Sequence, residues 1–195
     1  PFVKKSRREG YRARSVYKLT ELDDTEHLFR PGMNVADLGS APGSWTQIVR
    51  ERLTDKNGEL KGRIIAMDIL PMEPIDGVTF LQGDFREQEV ADKLNEILGG
   101  DKLDVVISDM APNLSGIAMV DANASLLLNE LALDFAVEHL KPEGVFVTKA
   151  FQGSGYSQFI ENCKKHFVSV AQRKPEASRN SSAEMYVVAR RLKNK

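Results

Sequence analysis

Apolar residues in this chain fall into short runs separated by stretches of helical spacing. The runs Asn34–Leu38, Arg63–Met67, Val78–Gln82, Leu103–Ser108 and Gly144–Thr148 predict β-strands. Between them, Ser44–Leu53, Arg86–Leu98 and Ala122–Leu140 predict helices. Strands that alternate with helices predict an α/β fold, a parallel sheet covered by helices on both faces. The runs "DVVIS" and "GVFVTK" are apolar nearly throughout, as strands buried on both sides are. Pro142 and Gly144 punctuate the end of the long helix.

The end of the chain breaks this alternation. After a helix at Ser157–His166, "FVSVAQRKP" and "AEMYVVARR" both read as strands, separated only by the polar "PEASRNSS". Two strands in succession predict an antiparallel hairpin added to a mostly parallel, seven-stranded sheet. Dinucleotide-binding Rossmann sheets do not usually end this way; Rossmann-like sheets that bind S-adenosylmethionine do. Arg14–Leu28 predicts an amphipathic helix that docks on the sheet through Val16, Leu19, Leu22 and Leu28. With no repeat or low-complexity segment, 195 residues predict one domain over 1–195, a basic extension and helix at 1–30 followed by a catalytic sheet at 31–195.

Charge adds a partner. The formal net charge is only −1, but residues 1–18 carry seven Lys or Arg against Glu9. Residues 172–195 carry seven more against Glu176 and Glu184, leaving 13 basic and 25 acidic residues between. Two basic ends around an acidic body predict a surface for a polyanion such as a nucleic acid, with Lys4, Lys5, Arg7, Arg8, Arg12, Arg14, Arg173, Lys174 and Arg179 as its contacts. No apolar run approaches the roughly 20 residues that cross a bilayer. No apolar stretch follows the basic N-terminus as in a secretory signal. Cys163 is the single cysteine, and His27, His139 and His166 lack metal-ligand spacing. A cytoplasmic monomer without metal is expected.

The candidate chemistry lies in "VADLGSAPGSW", Val35 to Trp45. Gly39 and Gly43 can turn where other residues clash and let a ligand lie against the main chain. Asp37 ends the first strand, and Pro42 excludes the G-x-G-x-x-G pattern. Asp68, Asp84 and Asp109 end the next three strands. Ligands of open α/β sheets bind at these carboxyl ends. Asp68 can accept ribose hydroxyl bonds and Asp84 an adenine amino group. Four acids disfavour a phosphate-rich cofactor and suit a cationic one, as the sulfonium of S-adenosylmethionine is.

The motifs "DLGSAPGSW", "LPM", "FLQGDF", "SDMAPN.SG", "FV.K.FQG.G" and "RKP..SR..S.E.Y.VA" resemble the RrmJ/FtsJ family of ribosomal RNA 2′-O-methyltransferases, in order through nearly the whole chain. The resemblance implies S-adenosylmethionine as cofactor, held by residues matching Gly43, Trp45, Asp68, Asp84 and Asp109. It implies a catalytic tetrad matching Lys18, Asp109, Lys149 and Glu184. It also implies a substrate, the ribose of an A-loop uridine of 23S rRNA in the large ribosomal subunit, which makes the contacts of the two basic ends RNA contacts. The insertion "TDKNGEL", Ser40 and Ser44 depart from the family pattern without touching the tetrad.

Methyl transfer to a hydroxyl needs alignment and removal of a proton. A lysine with its ordinary pKa of about 10.4 is a poor base. Burial and Lys18 would lower Lys149, while Asp109 and Glu184 would raise it. Lys149 can therefore be a base, or a cation that steers the oxygen. A strand-end lysine reaching solvent is the bland alternative. Two other functions compete: a non-enzymatic RNA-binding protein with this fold, and a nicotinamide-dependent oxidoreductase.

Overall fold

Strand β1 (Asn34–Leu38) is buried along its whole length and lies near the middle of the sheet. The computed structural model describes residues 1–112, 117–178 and 183–194, with the backbone alone for Ala118 and Met119. Helices α1 (Phe2–Arg8) and α2 (Val16–Glu26) precede β1, and α3 (Ser44–Leu53) follows it. Next come β2 (Arg63–Asp68), β3 (Thr79–Gln82), α4 (Gln88–Leu98), β4 (Leu103–Ser108) and α5 (Ala118–His139). The chain continues through β5 (Leu140–Phe151), α6 (Tyr156–His166), β6 (Phe167–Arg173) and β7 (Glu184–Leu192). The seven strands are ordered β3-β2-β1-β4-β5-β7-β6. β1 to β5 pair in parallel, while β7 pairs antiparallel with both β5 and β6. The hairpin therefore folds back into the sheet: β7 takes the place beside β5, and β6 becomes the edge.

Strand side chains alternate between two cores, as the period of two requires. Ala36, Leu38, Ile65, Val106 and Phe146 face α4, α5 and α6 through Leu94, Leu133 and Phe159. Val35, Ile64, Val105 and Val147 face α2 and α3 through Leu19, Leu22, Trp45 and Val49. Each fully buried leucine here contributes about 2 kcal/mol of apolar transfer. Among the described residues no helix is long and apolar enough to cross a membrane.

Element boundaries move where side chains compete with the repeating pattern. α2 stops at Glu26 because His27 turns left-handed, φ 52°, and Asp23 accepts the backbone N–H of Leu28 and Phe29. α4 starts at Gln88, two residues later than the pattern predicts, because Asp84 accepts the Arg86 N–H and holds 84–87 as a turn. β5 is longer than the predicted Gly144–Thr148 and contains Pro142. Its register against β4 shifts between Leu103 and Val105, so exposed Pro142 and Glu143 bulge out and no ladder N–H is missed there. α1 was legible only as basic extension; Phe2 anchors it on Tyr17, 5.6 Å between rings.

Candidate active site

A cavity of about 590 Å³ opens at the carboxyl ends of β1, β2 and β4, where ligands of open α/β sheets bind. Gly39, Asp68, Asp84 and Asp109 line it, opposed by Leu127 and Leu131 of α5. Gly39 turns with φ +70°, and a Cβ there would stand 2.3 Å from Met110 Cγ. Only glycine fits that turn. Asp68 accepts the Ala41 N–H at 2.8 Å with one oxygen and the Leu70 N–H at 2.9 Å with the other. It thereby ties the glycine loop to the turn after β2. The Arg86 guanidinium, with Nε 2.9 Å from Asp84 Oδ1, holds the Asp84 carboxyl below the ordinary carboxylate range.

The remaining loop residues of the motif do not line this cavity. Asp37 is buried and accepts the Thr46 hydroxyl at 2.7 Å. Burial pushes its carboxyl up to about 8, against the Thr46 bond and with the charges of Asp109 and Asp68. Gly43 caps the start of α3 with φ +115°. Pro42 offers its carbonyl to Arg12. Trp45 is buried, donates Nε1–H to the Ser15 carbonyl at 3.0 Å, and packs its ring 5.8 Å from that of Tyr186. Ser44 Oγ sits 2.9 Å from the Ser15 hydroxyl, just ahead of α2.

At the cavity's edge two lysines and two acids meet. Asp109 follows β4 directly, and Lys149 comes from the neighbouring β5, with Nζ 3.4 Å from Asp109 Oδ1. Lys18 reaches over from α2, and its Nζ donates to Glu184 Oε1 at 2.5 Å. The antiparallel return places Lys149 opposite Tyr186 and Phe151 opposite Glu184, which carries the first residue of β7 to the site. Burial pushes the Asp109 carboxyl up; Lys149 and then Lys18 oppose this without cancelling it. Burial acts on Glu184 in the same sense, but the Lys18 bond and the charges of Lys18 and Lys149 outweigh it and hold that carboxyl low. The four groups thus form one charge-balanced set with two unlike acids.

Supporting contacts surround the set. The Tyr186 hydroxyl lies 3.4 Å from Asp109 Oδ1, and Ser178 Oγ donates to Glu184 Oε1 at 3.1 Å. Glu21 of α2 accepts the N–H groups of Glu176 and Ala177, fixing the loop that presents Ser178. Buried Asn129 of α5 donates to the Lys149 carbonyl at 2.7 Å, past the end of the β4 ladder. Ser178 and Tyr186 stand in the quoted motif "RKP..SR..S.E.Y.VA" without a role assigned to them there, and Asn129 falls in no motif. Tyr186 was within reach, because it shares the face of Glu184 two residues earlier. Asn129 carries no signal beyond being a polar residue in a long apolar helix.

The basic residues expected on RNA divide into two kinds. Lys4, Arg7 and Arg8 are exposed on α1, and Arg14 is half-buried ahead of α2. Lys5 lies over the Tyr17 ring at 4.6 Å. Arg12 is turned onto backbone carbonyls, Arg173 bonds Glu26 at 2.7 Å, and Lys174 donates to the Glu184 carbonyl at 2.6 Å. Arg179 lies outside the described residues, as do Asn113, Ser115 and Gly116 of the fourth motif. Among the described residues no group of three or more His, Cys, Asp or Glu could hold a metal ion.

Residues 11–192 match the model of the FtsJ-like methyltransferases. The ribosomal RNA large subunit methyltransferase E of Cupriavidus necator is 53% identical over 201 residues, covering 99% of this chain and 91% of its own. That of Bordetella petrii is 54% identical over 194 residues, covering 100% and 92%. A solved structure described as a ribosomal RNA methyltransferase of Plasmodium falciparum superposes with a TM-score of 0.84 at 31% identity, over 95% of this chain and 100% of that one. By sequence along nearly its whole length and by fold, the chain belongs to the FtsJ-like methyltransferase family.

Proposed function

We propose that this protein transfers a methyl group from S-adenosylmethionine to the 2′-hydroxyl of a ribose in the RNA of the large ribosomal subunit, and that the target is a uridine of the 23S rRNA A-loop. The relatives at 53% and 54% identity act, by name, on large-subunit ribosomal RNA. The observation that carries the reading is the Lys149–Asp109 pair at the cavity edge, backed by Lys18–Glu184. The work would take place in the cytoplasm, with the protein as a monomer.

The cavity suits the cofactor. Its volume falls within the roughly 300–1,000 Å³ of small-molecule sites. The acids at three strand ends and the bare turn at Gly39 favour a cationic, hydroxyl-bearing ligand, and the lining cation, Arg86, is already paired with Asp84. Asp68 and Asp84 would hold its ribose and adenine, with the glycine loop at Gly39 and Ala41 shaping the other wall. When bound, S-adenosylmethionine supplies a methyl carbon already activated by a sulfonium.

The chain's own residues then supply position and a proton path. Alignment alone is worth effective molarities of about 10⁵ M or more. In the base role Lys149 enters the step as the free amine, its own proton already released to solvent, and it takes the ribose hydroxyl proton as that oxygen becomes nucleophilic. Asp109, 3.4 Å away, balances the ammonium charge so formed. In the steering role Lys149 stays an ammonium and Asp109 takes the proton. Lys18 and Glu184 satisfy each other, which keeps a second uncompensated charge out of the site. Lys4, Arg7 and Arg8 would meet phosphates beyond the cleft. Labelled methyl transfer to large ribosomal subunits, with the product mapped to a 2′-O-methylribose, tests the proposal. Binding of subunits without transfer would leave an RNA-binding protein instead. Binding of NAD in place of S-adenosylmethionine would point to the oxidoreductase.

A further inference from the structure

We propose that Arg12 is a positioning residue of the cofactor cavity, a strap that holds the glycine loop and the loop after β2 together, and not a phosphate ligand. This rests on the reading of that cavity as the S-adenosylmethionine site. Arg12 Nη1 donates to the Pro42 carbonyl at 2.9 Å and to the Glu73 carbonyl at 2.7 Å, and Nη2 donates to the Pro74 carbonyl at 3.1 Å. One planar fork thus spans two loops. Each loop continues directly from cavity residues, the first from Gly39 and Ala41, the second from Asp68, Ile69 and Leu70.

The strap is anchored from behind. The Arg12 N–H donates to Gln47 Oε1 at 3.0 Å, Gln47 Nε2 donates to the Gly10 carbonyl at 3.2 Å, and the Tyr11 hydroxyl donates to Glu51 at 2.9 Å. Segment 10–12 is therefore fastened along α3. Gly43 makes room for it: a Cβ there would lie 2.9 Å from Arg12 Nη1 and 3.1 Å from Met72 Sδ. The bare backbone at Gly43 is accounted for by a guanidinium already in place. At its far end the second loop is tied separately, where Arg50 Nε donates to the Asp76 carbonyl at 2.6 Å. Without Arg12 the stretch between Leu70 and Asp76 would keep only the apolar contacts of Met72 and Ile75 near Gly43 and lose its hydrogen-bonded link to the glycine loop. A ligand would then have to order both loops on binding.

The test is calorimetry with S-adenosylmethionine and S-adenosylhomocysteine, beside ribosomal RNA binding across a salt series. In Arg12→Ala, both small-molecule affinities should fall by about 5- to 30-fold, the scale of a few half-exposed charge-assisted bonds. KM for the cofactor should rise while kcat at saturating cofactor stays near the parent's, because Arg12 touches no reacting atom. Arg12→Lys keeps the charge but not the fork, since one ammonium cannot reach all three carbonyls. It should stay impaired for both cofactors while binding RNA with the parent's salt slope. Unchanged cofactor affinity in Arg12→Ala, or full recovery in Arg12→Lys, overturns the strap. A salt slope lowered by about one phosphate contact in Arg12→Ala and restored in Arg12→Lys would make Arg12 an RNA ligand. If the parent binds neither cofactor, the proposed function itself fails, and the two failures are distinct.

Discussion

Replacing Lys149 by alanine should remove catalysis while leaving the fold and cofactor binding in place. The side chain is 13% exposed, and its ammonium sits 3.4 Å from Asp109 Oδ1. Deleting it strips Asp109 of its nearest cation. Burial already pushes that carboxyl up, and losing the Lys149 cation moves it further in the same direction, which lightens the cost of keeping it buried. The loss therefore falls on rate more than on stability. A positioned acid–base group contributes about 10²- to 10⁴-fold, or about 2.7–5.4 kcal/mol of barrier. Single-turnover transfer to large ribosomal subunits measures it, with cofactor affinity determined in parallel. Arginine at this position keeps a cation but gives up no proton at usable pH. It should be nearly as inactive as alanine if Lys149 is the base; partial recovery would make Lys149 a steering charge and pass the proton to Asp109. Transfer by Lys149→Ala at close to the parent's rate would refute both roles.

Glu184→Gln should destabilise the protein by about 3 kcal/mol in urea unfolding, because Lys18 is left almost buried without its carboxylate. Glu184 is held low in the fold, so its contribution is present above the ordinary carboxylate range and lost as pH falls through the folded value; the Gln protein should lack that acid-side loss. Asp37 has the opposite sign: with its carboxyl raised to about 8, stability should decline as pH climbs from the ordinary value of about 4 toward 8, and Asp37→Asn should flatten the profile measured without cofactor. Asp68→Ala releases the Ala41 and Leu70 N–H groups and should weaken S-adenosylmethionine binding by about 1–3 kcal/mol by calorimetry; an unchanged affinity removes Asp68 from the site.

The parallel sheet was legible because its strands are apolar on both faces, and a run such as "DVVIS" has few other uses in a chain of this length. The terminal hairpin was legible as two strands in succession, but not as an insertion beside β5. That placement is set by pairing across the whole chain, Lys149 with Tyr186, and leaves no local signal. Glu184 was found through a family motif; alone it is one acid at the start of a strand. Charge counts predict a basic surface but not which of its donors already have partners within the fold. Arg12, Arg173 and Lys174 spend their donors on carbonyls and on Glu26, while Lys4, Arg7 and Arg8 keep theirs outward. Asn129 could not be picked out, since its partner is a backbone carbonyl and any sequence supplies one.

The return of β7 between β5 and β6 also sets a timetable for biosynthesis. Lys18 and Glu184 are 166 residues apart, so their pair cannot close until almost the entire described chain has left the ribosome. Until β7 emerges, β5 has an unpaired edge on the side that β7 will fill, and β6 has no strand to join it to the sheet. Such an edge is a template for wrong pairing. A nascent chain stalled before Glu184 should therefore expose β5 and β6 to protease while β1 to β4 resist digestion, and it should carry no transfer activity. Protection of β5 in such a chain would mean that the sheet closes by another route.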